Sequence, residues 1–183
     1  MLRQREKESL ELIESFLKGN DEAFSKIALL IHQDVLNISY RYVGNVEDAK
    51  DVLQEVLLKI HNKLIYFKKE SKFSTWIYRI TINASLDFLR KRKRSWCLKG
   101  RYLKNELTTT SLRDDIDIRD KGVIMKKAIE ELSLGQKNVF ILRHYKGLKI
   151  AEISKVLGCS QSSVKTQLKR GIDKIREKIG GLL

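Results

Sequence analysis

Apolar side chains recur at intervals of three and four residues along most of the chain, and this spacing is typical of amphipathic α-helices. In the first half it predicts helices at 5–18, 20–44, 46–64 and 72–94. Gly19 and Gly44 end the earlier helices, while Asn20 and Asn45 stand where N-cap side chains are expected. Since the sequence contains no proline and shows no strand-like alternation, the predicted fold class is all-α.

The helical pattern lapses after Arg94 and resumes at Val123. The residues between are mixed in charge and rich in Thr and Asp, so we interpret 97–122 as a flexible linker. Beyond it the spacing predicts further helices at 123–132, 135–145, 149–157 and 161–179. The chain is therefore predicted to form two small helical domains, 1–96 and 123–183, joined by the linker.

The clearest motif, KIAEISKVLGCSQSSVKTQLKRGIDKIREKI, runs from Lys149 to Ile179. A small residue, a glycine and an apolar residue stand at Ser154, Gly158 and Val164, which is the arrangement of a helix-turn-helix. The second helix would expose side chains suited to phosphates and base edges, namely Gln161, Ser162, Lys165, Thr166, Lys169 and Arg170. An ordinary helical hairpin with a basic surface is the alternative.

The charge of the chain favours a polyanionic partner. The 183 residues carry a formal net charge of +14, and most of it is concentrated in two blocks. Residues 88–104 hold eight Lys or Arg and no Asp or Glu, whereas residues 137–183 hold eleven basic and three acidic residues. Such blocks indicate separate anion-binding surfaces, for nucleic acid or an anionic membrane. The membrane is disfavoured because the basic faces lack adjoining ridges of exposed Trp or Leu.

The helix predicted at 72–94 has a polar seam. On a helical wheel, FSTWIYRITINASLDFLRKRKR shows two apolar stripes, and between them lie Trp76, Arg79, Asn83, Asp87, Arg90 and Arg94. Trp and Arg can stack on unpaired bases, and Arg and Asn supply hydrogen-bond donors. The seam therefore indicates a surface for single-stranded nucleic acid. The alternative is that Trp76 belongs to the core and the arginines are merely solvated.

The preceding helix carries an acidic face opposite its apolar stripe. This face consists of Glu47, Asp48, Asp51, Gln54 and Glu55. It is suited to docking another protein, although plain solvation is the simpler explanation from the residues alone.

These segments, in this order, resemble a known family. DVLQEVLLKI (51–60), FSTWIYRITINASLDFLRKRKR (73–94) and the helix-turn-helix are similar to the extracytoplasmic-function (ECF) sigma factors of bacteria, small sigma-70 proteins with conserved regions two and four. The resemblance covers roughly residues 18–94 and 123–179. It implies an initiation factor that binds core RNA polymerase, recognises the −35 and −10 promoter elements and melts the −10 region. It also implies control by an anti-sigma factor.

The resemblance implies roles for individual residues. Binding to the polymerase clamp helices would involve Asp48, Asp51, Gln54 and Glu55. Contacts to the −10 element would come from Phe67, Trp76, Arg79, Asn83, Arg90, Lys91 and Arg94. Among them, Phe67 lies in the loop that captures a flipped base, and Asp87 nearby is expected to be structural. Contacts to the −35 element would come from Arg143, Ser163, Lys165, Thr166, Gln167, Lys169 and Arg170. Region four would also bind the polymerase flap.

The sequence departs from the family pattern in its C-terminal domain. Ser133 follows Leu132 where the family usually has proline, which predicts a slightly looser helix start. Gln167 and Lys169 stand where many members have Arg and an aromatic residue, which leaves the −35 sequence open. The main rival interpretation is a helix-turn-helix regulator that binds DNA without polymerase.

Little in the residue inventory supports an enzyme. His32, His61 and His144 are scattered, Cys97 and Cys159 lack zinc spacing, and no phosphate-cradling glycine loop is present. We therefore expect no catalytic residue, metal or cofactor. Free cysteines, the absence of a signal-like N-terminus and the lack of a run of roughly 18 apolar residues predict a cytoplasmic protein.

Overall fold

The computed structural model describes residues 2–102 and 121–180. In these ranges the backbone forms eight α-helices and no strand, which confirms the predicted all-α fold. The helices are α1 (Leu2–Leu17), α2 (Asp21–Val43), α3 (Val46–Lys63), α4 (Phe73–Tyr102), α5 (Lys121–Glu130), α6 (Leu134–Phe140), α7 (Ile150–Leu157) and α8 (Gln161–Gly180). The chain divides into two compact units, residues 1–96 (unit 1) and 97–183 (unit 2).

Local capping fixes the helix ends of unit 1. The Asn20 side chain accepts a hydrogen bond from the Glu22 N–H at 3.1 Å, and Asn45 accepts one from the Asp48 N–H at 2.8 Å. Gly44 ends α2 in the left-handed conformation, with φ of 88°, where a side chain would be strained. These caps are the ones that the sequence predicts.

The core of unit 1 is built mainly from the apolar faces of α2 and α3, and α1 packs on α2. The inward positions given by the helical spacing are buried, among them Ile27, Ile31, Val35, Ile38, Ala49, Leu53, Val56 and Ile60. From α4, Phe73, Ile77 and Ala84 are buried as well. The spacing also places Val46 in the stripe of α3, but this side chain is exposed because it is the first residue of that helix.

Helix α4 is longer than predicted. Its backbone continues past Arg94 to Tyr102, so the end predicted for this helix is too early. Helix α5 begins at Lys121, two residues before the predicted start at Val123. The extension contains no proline, and its Leu, Lys and Arg residues favour helix. Its continuation makes the first part of the predicted linker helical, while residues 103–120 lie outside the described residues.

Unit 2 packs α5, α6 and α8 around a small core. The core cluster consists of Ala128, Ile129, Leu132, Phe140 and Ile175. Helices α6 and α8 cross closely at Gly171, where an added Cβ would lie 3.4 Å from the Cβ of Gln136. This distance is an ordinary van der Waals contact, so the two helices lie close together here without a strict need for glycine.

The start of α6 is firmly capped although the family's proline is absent. The Ser133 hydroxyl accepts the Gln136 N–H at 3.5 Å, and the Gln136 side chain accepts the Ser133 N–H at 3.0 Å. This reciprocal capping box satisfies backbone donors that a helix start otherwise leaves unpaired. The helix start is thus capped without the proline, and its slight loosening relative to the family stays a prediction. A π-helical turn, Ile141–Tyr145, continues α6 to the end predicted for it.

Candidate nucleic-acid interface

The outer face of α4 presents most of the polar seam to solvent. Its exposed members are Arg79, Asn83, Arg90 and Arg94. Trp76 and Asp87 are half-buried, while Ile77 and Ala84 on the opposite side are buried in the core. The seam thus offers hydrogen-bond donors and cations on a helix whose opposite face packs in the core.

An aromatic cluster lies at the start of α4. The ring centroid of Phe67 is 5.5 Å from that of Phe73 and 5.3 Å from that of Trp76. Phe67 is only 8% exposed. The ring therefore packs in the core and does not present a face on which a flipped base could stack, contrary to what the resemblance implies. No sequence pattern indicates this burial, because helical spacing does not extend through a loop.

The acidic and basic candidate surfaces of unit 1 adjoin. Asp51 and Gln54 are exposed on α3, whereas Asp48 and Glu55 are partly covered by side chains from α4. The Arg92 guanidinium pairs with the Asp48 carboxylate, and the Lys91 ammonium lies 3.8 Å from Glu55. Carboxylates predicted to bind polymerase thus pair with basic side chains of α4, one of which, Lys91, is predicted to bind DNA.

Lys59 extends this ion-pair network between α3 and α4. Its ammonium lies 2.7 Å from the Glu55 carboxylate and 4.0 Å from Asp87. Asp87 also accepts a hydrogen bond from Arg90 at 2.8 Å. Through Lys59 it connects the two helices, which agrees with the structural role expected of it.

The helix-turn-helix is formed by α7 and α8. Gly158 adopts the left-handed conformation in the turn, with φ of 65°. The Ser160 hydroxyl caps α8 by accepting the Ser163 N–H at 3.2 Å, and the Val164 side chain is fully buried. The Ser154 hydroxyl donates to the Cys159 carbonyl and braces the turn. The motif predicted from the spacing is confirmed.

The outer face of α8 carries most of the residues predicted to read the −35 element. Its exposed side chains include Gln161, Ser162, Ser163, Lys165, Thr166, Lys169 and Arg170. Within the part of the chain that the structure describes, no carboxylate pairs with Lys165, Lys169 or Arg170. These cations are therefore available to phosphates.

Gln167 and Arg143, which belong to the same predicted set, are engaged inside unit 2. Gln167 is half-buried over α6, where a Cβ added to Gly135 would lie 3.4 Å from its Cδ. Arg143 is exposed, but its guanidinium donates to the Leu148 carbonyl at 3.0 Å and braces the turn into α7. Gln167 therefore does not lie on the open face of α8, and a DNA contact by either residue stays a prediction.

The back of α8 is tied to the end of α5 by charge. The Lys178 ammonium lies 2.8 Å from the Glu131 carboxylate, and Lys174 donates to the Glu131 carbonyl at 2.6 Å. The hydrogen bond between the Glu131 and Lys178 side chains lowers the pKa of Glu131 and raises the pKa of Lys178. The pair thus links the C-terminal part of α8 to the end of α5.

Two of the three histidines, His61 and His144, lie in aromatic contacts, and His32 is exposed on α2. His61 meets Phe16 and Phe24 edge-on, and His144 lies 4.4 Å from the Phe140 ring. Among the side chains described, no group of His, Cys, Asp or Glu could hold a metal ion. Within residues 2–102 and 121–180, every helix is too short or too polar to cross a bilayer.

Sequence comparison covers both candidate surfaces. A family model described as sigma-70 region 2 matches residues 30–95, and one described as sigma-70 region 4 matches residues 123–175. RNA polymerase sigma factor SigV of Bacillus subtilis is 31% identical over 144 residues, 79% of this chain and 83% of that protein. The chain belongs to the ECF RNA polymerase sigma factors. ECF RNA polymerase sigma factor SigW of Bacillus subtilis is 29% identical over 184 residues, which span 93% of this sigma factor and 96% of SigW.

Solved structures share the fold of this sigma factor. The structure of CnrH in complex with the cytosolic domain of CnrY gives a TM-score of 0.70 at 19% identity, covering 95% of this chain and 98% of that chain. The sigma factor RpoE in complex with the anti-sigma factor NepR from Bartonella quintana gives 0.66 at 22% identity, covering 86% and 96%. At these identities the likeness concerns the fold alone.

Proposed function

We propose that this ECF sigma factor binds core RNA polymerase, recognises −35 and −10 promoter elements and melts the −10 region to direct initiation. The observation that carries the proposal is the outer face of α4, where Arg79, Asn83 and the cations of 90–94 are exposed above a buried core. A helix held in this way can keep a separated strand in place through donors and charge.

Docking on polymerase is proposed for the outer side of α3. Asp51 and Gln54 are exposed there, and Leu58, one turn further along, is 67% exposed. An apolar residue beside acidic and amide side chains suits a partner that offers basic and apolar groups. Since Asp48 and Glu55 pair with Arg92 and Lys91, a basic partner on α3 would compete for those carboxylates.

Melting needs no catalytic group under this proposal. Capture of unpaired bases offsets an unstacking cost of a few kcal/mol per step. Because Phe67 is buried, we assign its ring to the support of the loop, and the direct contacts to the exposed members of the seam. Trp76, half-buried beside Phe67, would offer only the part of its ring that is exposed.

Recognition of the −35 duplex is proposed for the outer face of α8. In a helix-turn-helix the second helix enters the major groove, and its polar side chains reach base edges while cations bind phosphates. Ser163 and Thr166 are the candidates for base edges, and Lys165, Lys169 and Arg170 for phosphates. We place Gln167 and Arg143 in supporting roles, since each is held by a neighbour within unit 2.

An anti-sigma factor is the proposed regulator. RpoE of Bartonella quintana was crystallised with the anti-sigma factor NepR, and we expect a partner of this kind here. A protein of this kind would act by covering the exposed side of α3. Pull-down of the sigma factor from its uninduced native host should recover a small partner, and recovery of none would count against this part of the proposal.

Run-off transcription tests the proposal directly. Core RNA polymerase and the sigma factor are incubated with a library of promoter fragments, and the start sites are sequenced. We expect specific starts preceded by shared −35 and −10 elements, with Asn83→Ala reducing them and Asn37→Ala, at an exposed asparagine on α2, leaving them unchanged. No starts, together with tight binding of the same DNA by the protein alone, would favour a stand-alone regulator.

A further inference from the structure

The loop between α3 and α4 has an unusual backbone. It follows a 3-10 turn at Leu64–Tyr66 and leads into Phe73, the first residue of α4. Lys69 in this loop has φ of 57°, the left-handed conformation that side chains rarely adopt, and it is the only described residue other than glycine to do so. Such a conformation persists where surrounding contacts hold it.

Helix α1 supplies contacts at both ends of this loop. The Glu14 carboxylate accepts a hydrogen bond from the Lys69 ammonium at 2.6 Å, across 55 residues of sequence. The Glu6 carboxylate accepts the backbone N–H of Phe73, across 67 residues, and so caps the start of α4. The hydrogen bond from Lys69 also lowers the pKa of Glu14.

Helix α1 is itself anchored. Phe16 lies 5.6 Å from the ring of Phe24 on α2 and 5.3 Å from His61 on α3, and Ile13 is fully buried. The region 2 match begins at residue 30, so α1 precedes the part of the chain that this family model covers. The two glutamates thus connect a fixed helix to a loop whose conformation needs support.

We propose that Glu6 and Glu14 are positioning residues that hold the 67–72 loop in the conformation that receives the unpaired −10 strand. This inference rests on the proposed function, and it adds the 67–72 loop to the seam as part of the surface that opens the promoter. Neither glutamate would touch DNA. Glu14 would hold Lys69 in place, and Glu6 would fix the direction in which α4 starts. Together they would keep the position of the loop constant relative to the polar seam of α4.

A mutant cycle on Glu14 and Lys69 tests the inference. The full chain is prepared as Glu14→Ala, Lys69→Ala and the double variant, with Glu11→Ala as the matched control. Glu11 is exposed on α1 and pairs within that helix, with Lys7 at 3.8 Å. The probes are a promoter fragment recovered by run-off transcription, permanganate reactivity of its −10 thymines with core polymerase, and hydrogen exchange of amides 67–73 in the free protein.

We expect Glu14→Ala to reduce −10 opening by about twofold to fivefold, the range of an exposed ion pair, with core binding unchanged. It should also speed exchange of the loop amides. In the Lys69→Ala background the Glu14 substitution should have no further effect, because its partner is gone. Glu6→Gln, which keeps an oxygen acceptor, should retain more opening than Glu6→Ala.

Several outcomes would overturn the inference. One is additive losses from the Glu14 and Lys69 substitutions, and another is an equal loss in Glu11→Ala. A third is faster loop exchange with unchanged opening, which would make the contacts structural only. If the wild-type chain opens no promoter at all, the proposed function fails. If it opens promoters that the Glu14 variant opens equally well, the inference alone fails.

Discussion

On α4, Lys91 and Arg92 form ion pairs with carboxylates of α3. On the outer face of α8, by contrast, no described carboxylate pairs with Lys165, Lys169 or Arg170. The α4 surface also adjoins an aromatic cluster, while the α8 surface belongs to the 20-residue second helix of the helix-turn-helix. A duplex can therefore bind α8 by adding ion pairs. A single strand that binds Lys91 or Arg92 must replace ion pairs already made. The proposed melting surface is thus restrained by ion pairs within its own domain, and the proposed duplex-reading surface is not.

Removal of the aromatic support should have the largest effect. Phe67→Ala deletes a ring that is 8% exposed, so unit 1 should lose about 3–5 kcal/mol of unfolding free energy. Tyr66→Ala, at a side chain 74% exposed, should change it by no more than about 0.5 kcal/mol. Urea denaturation followed by tryptophan fluorescence reports on unit 1, because both tryptophans, Trp76 and Trp96, lie within it. Equal small losses from both variants would contradict the burial of Phe67.

Neutralising the α8 cations should give the next largest effect. Binding to a −35 duplex should be weakened by each of the variants Lys165→Ala, Lys169→Ala and Arg170→Ala. The plot of the logarithm of the association constant against the logarithm of the salt concentration should become shallower, by about 0.9 in slope for each phosphate that is no longer neutralised. Arg176→Ala, at an exposed cation further along α8, is the control for charge alone. The measurement is fluorescence anisotropy of a labelled duplex at several salt concentrations. A slope that does not change would mean that these residues do not bind phosphates.

Removal of an ion pair between α3 and α4 should change the affinity for DNA by a smaller amount, but a matched control on the same helix makes the comparison more specific. Asp48→Asn should release Arg92 and raise the affinity of the free protein for single-stranded −10 DNA by up to about fivefold. Asp51→Asn removes the same charge from an exposed position on the same helix, where no described cation pairs with it, so its effect should be smaller. Titration of a labelled oligonucleotide without polymerase compares the two. Equal gains would mean that Arg92 is not restrained by Asp48.

Features set by local spacing were predictable from the sequence, and features set by distant contacts were not. The caps at Asn20, Asn45 and Ser160 and the turn at Gly158 follow from neighbouring residues, and the structure has them. The burial of Phe67 could not be predicted, since a loop has no periodicity to show which way a ring turns.

The same limit applies to the candidate site. Outward positions on α4 and α8 follow from helical geometry, so most of the seam and of the −35 set lie where the sequence puts them. The placement of Gln167 over Gly135 depends on how α6 crosses α8, and the pairing of Arg92 with Asp48 depends on how α4 meets α3. No local pattern marks Glu6 or Glu14, because their partners lie 67 and 55 residues away.

The smallest expected effect concerns acid stability of unit 2. Hydrogen bonding to Lys178 holds the pKa of Glu131 below its ordinary value, so this pair stabilises the fold above the unfolded-state pKa and is lost as pH falls through the folded-state pKa. In Glu131→Gln the free energy of unfolding should therefore decrease less steeply as the pH falls into the acid range. Near neutral pH its dependence on pH should be the same as in the wild type. Because the pair is exposed, salt should reduce the difference.

Urea unfolding followed by circular dichroism between about pH 3 and 7 measures this effect, and Glu177→Gln, at an exposed glutamate on α8, is the control. Identical pH profiles for the Glu131 variant and the wild type would show that the tie between α5 and α8 contributes nothing to unit 2. The position of α8 would then depend on its other contacts, such as the apolar packing of Ile175 and the hydrogen bond from Lys174 to the Glu131 carbonyl. A flattened profile would instead show that charge orders the back of α8, just as the Asp48–Arg92 pair links α4 to α3.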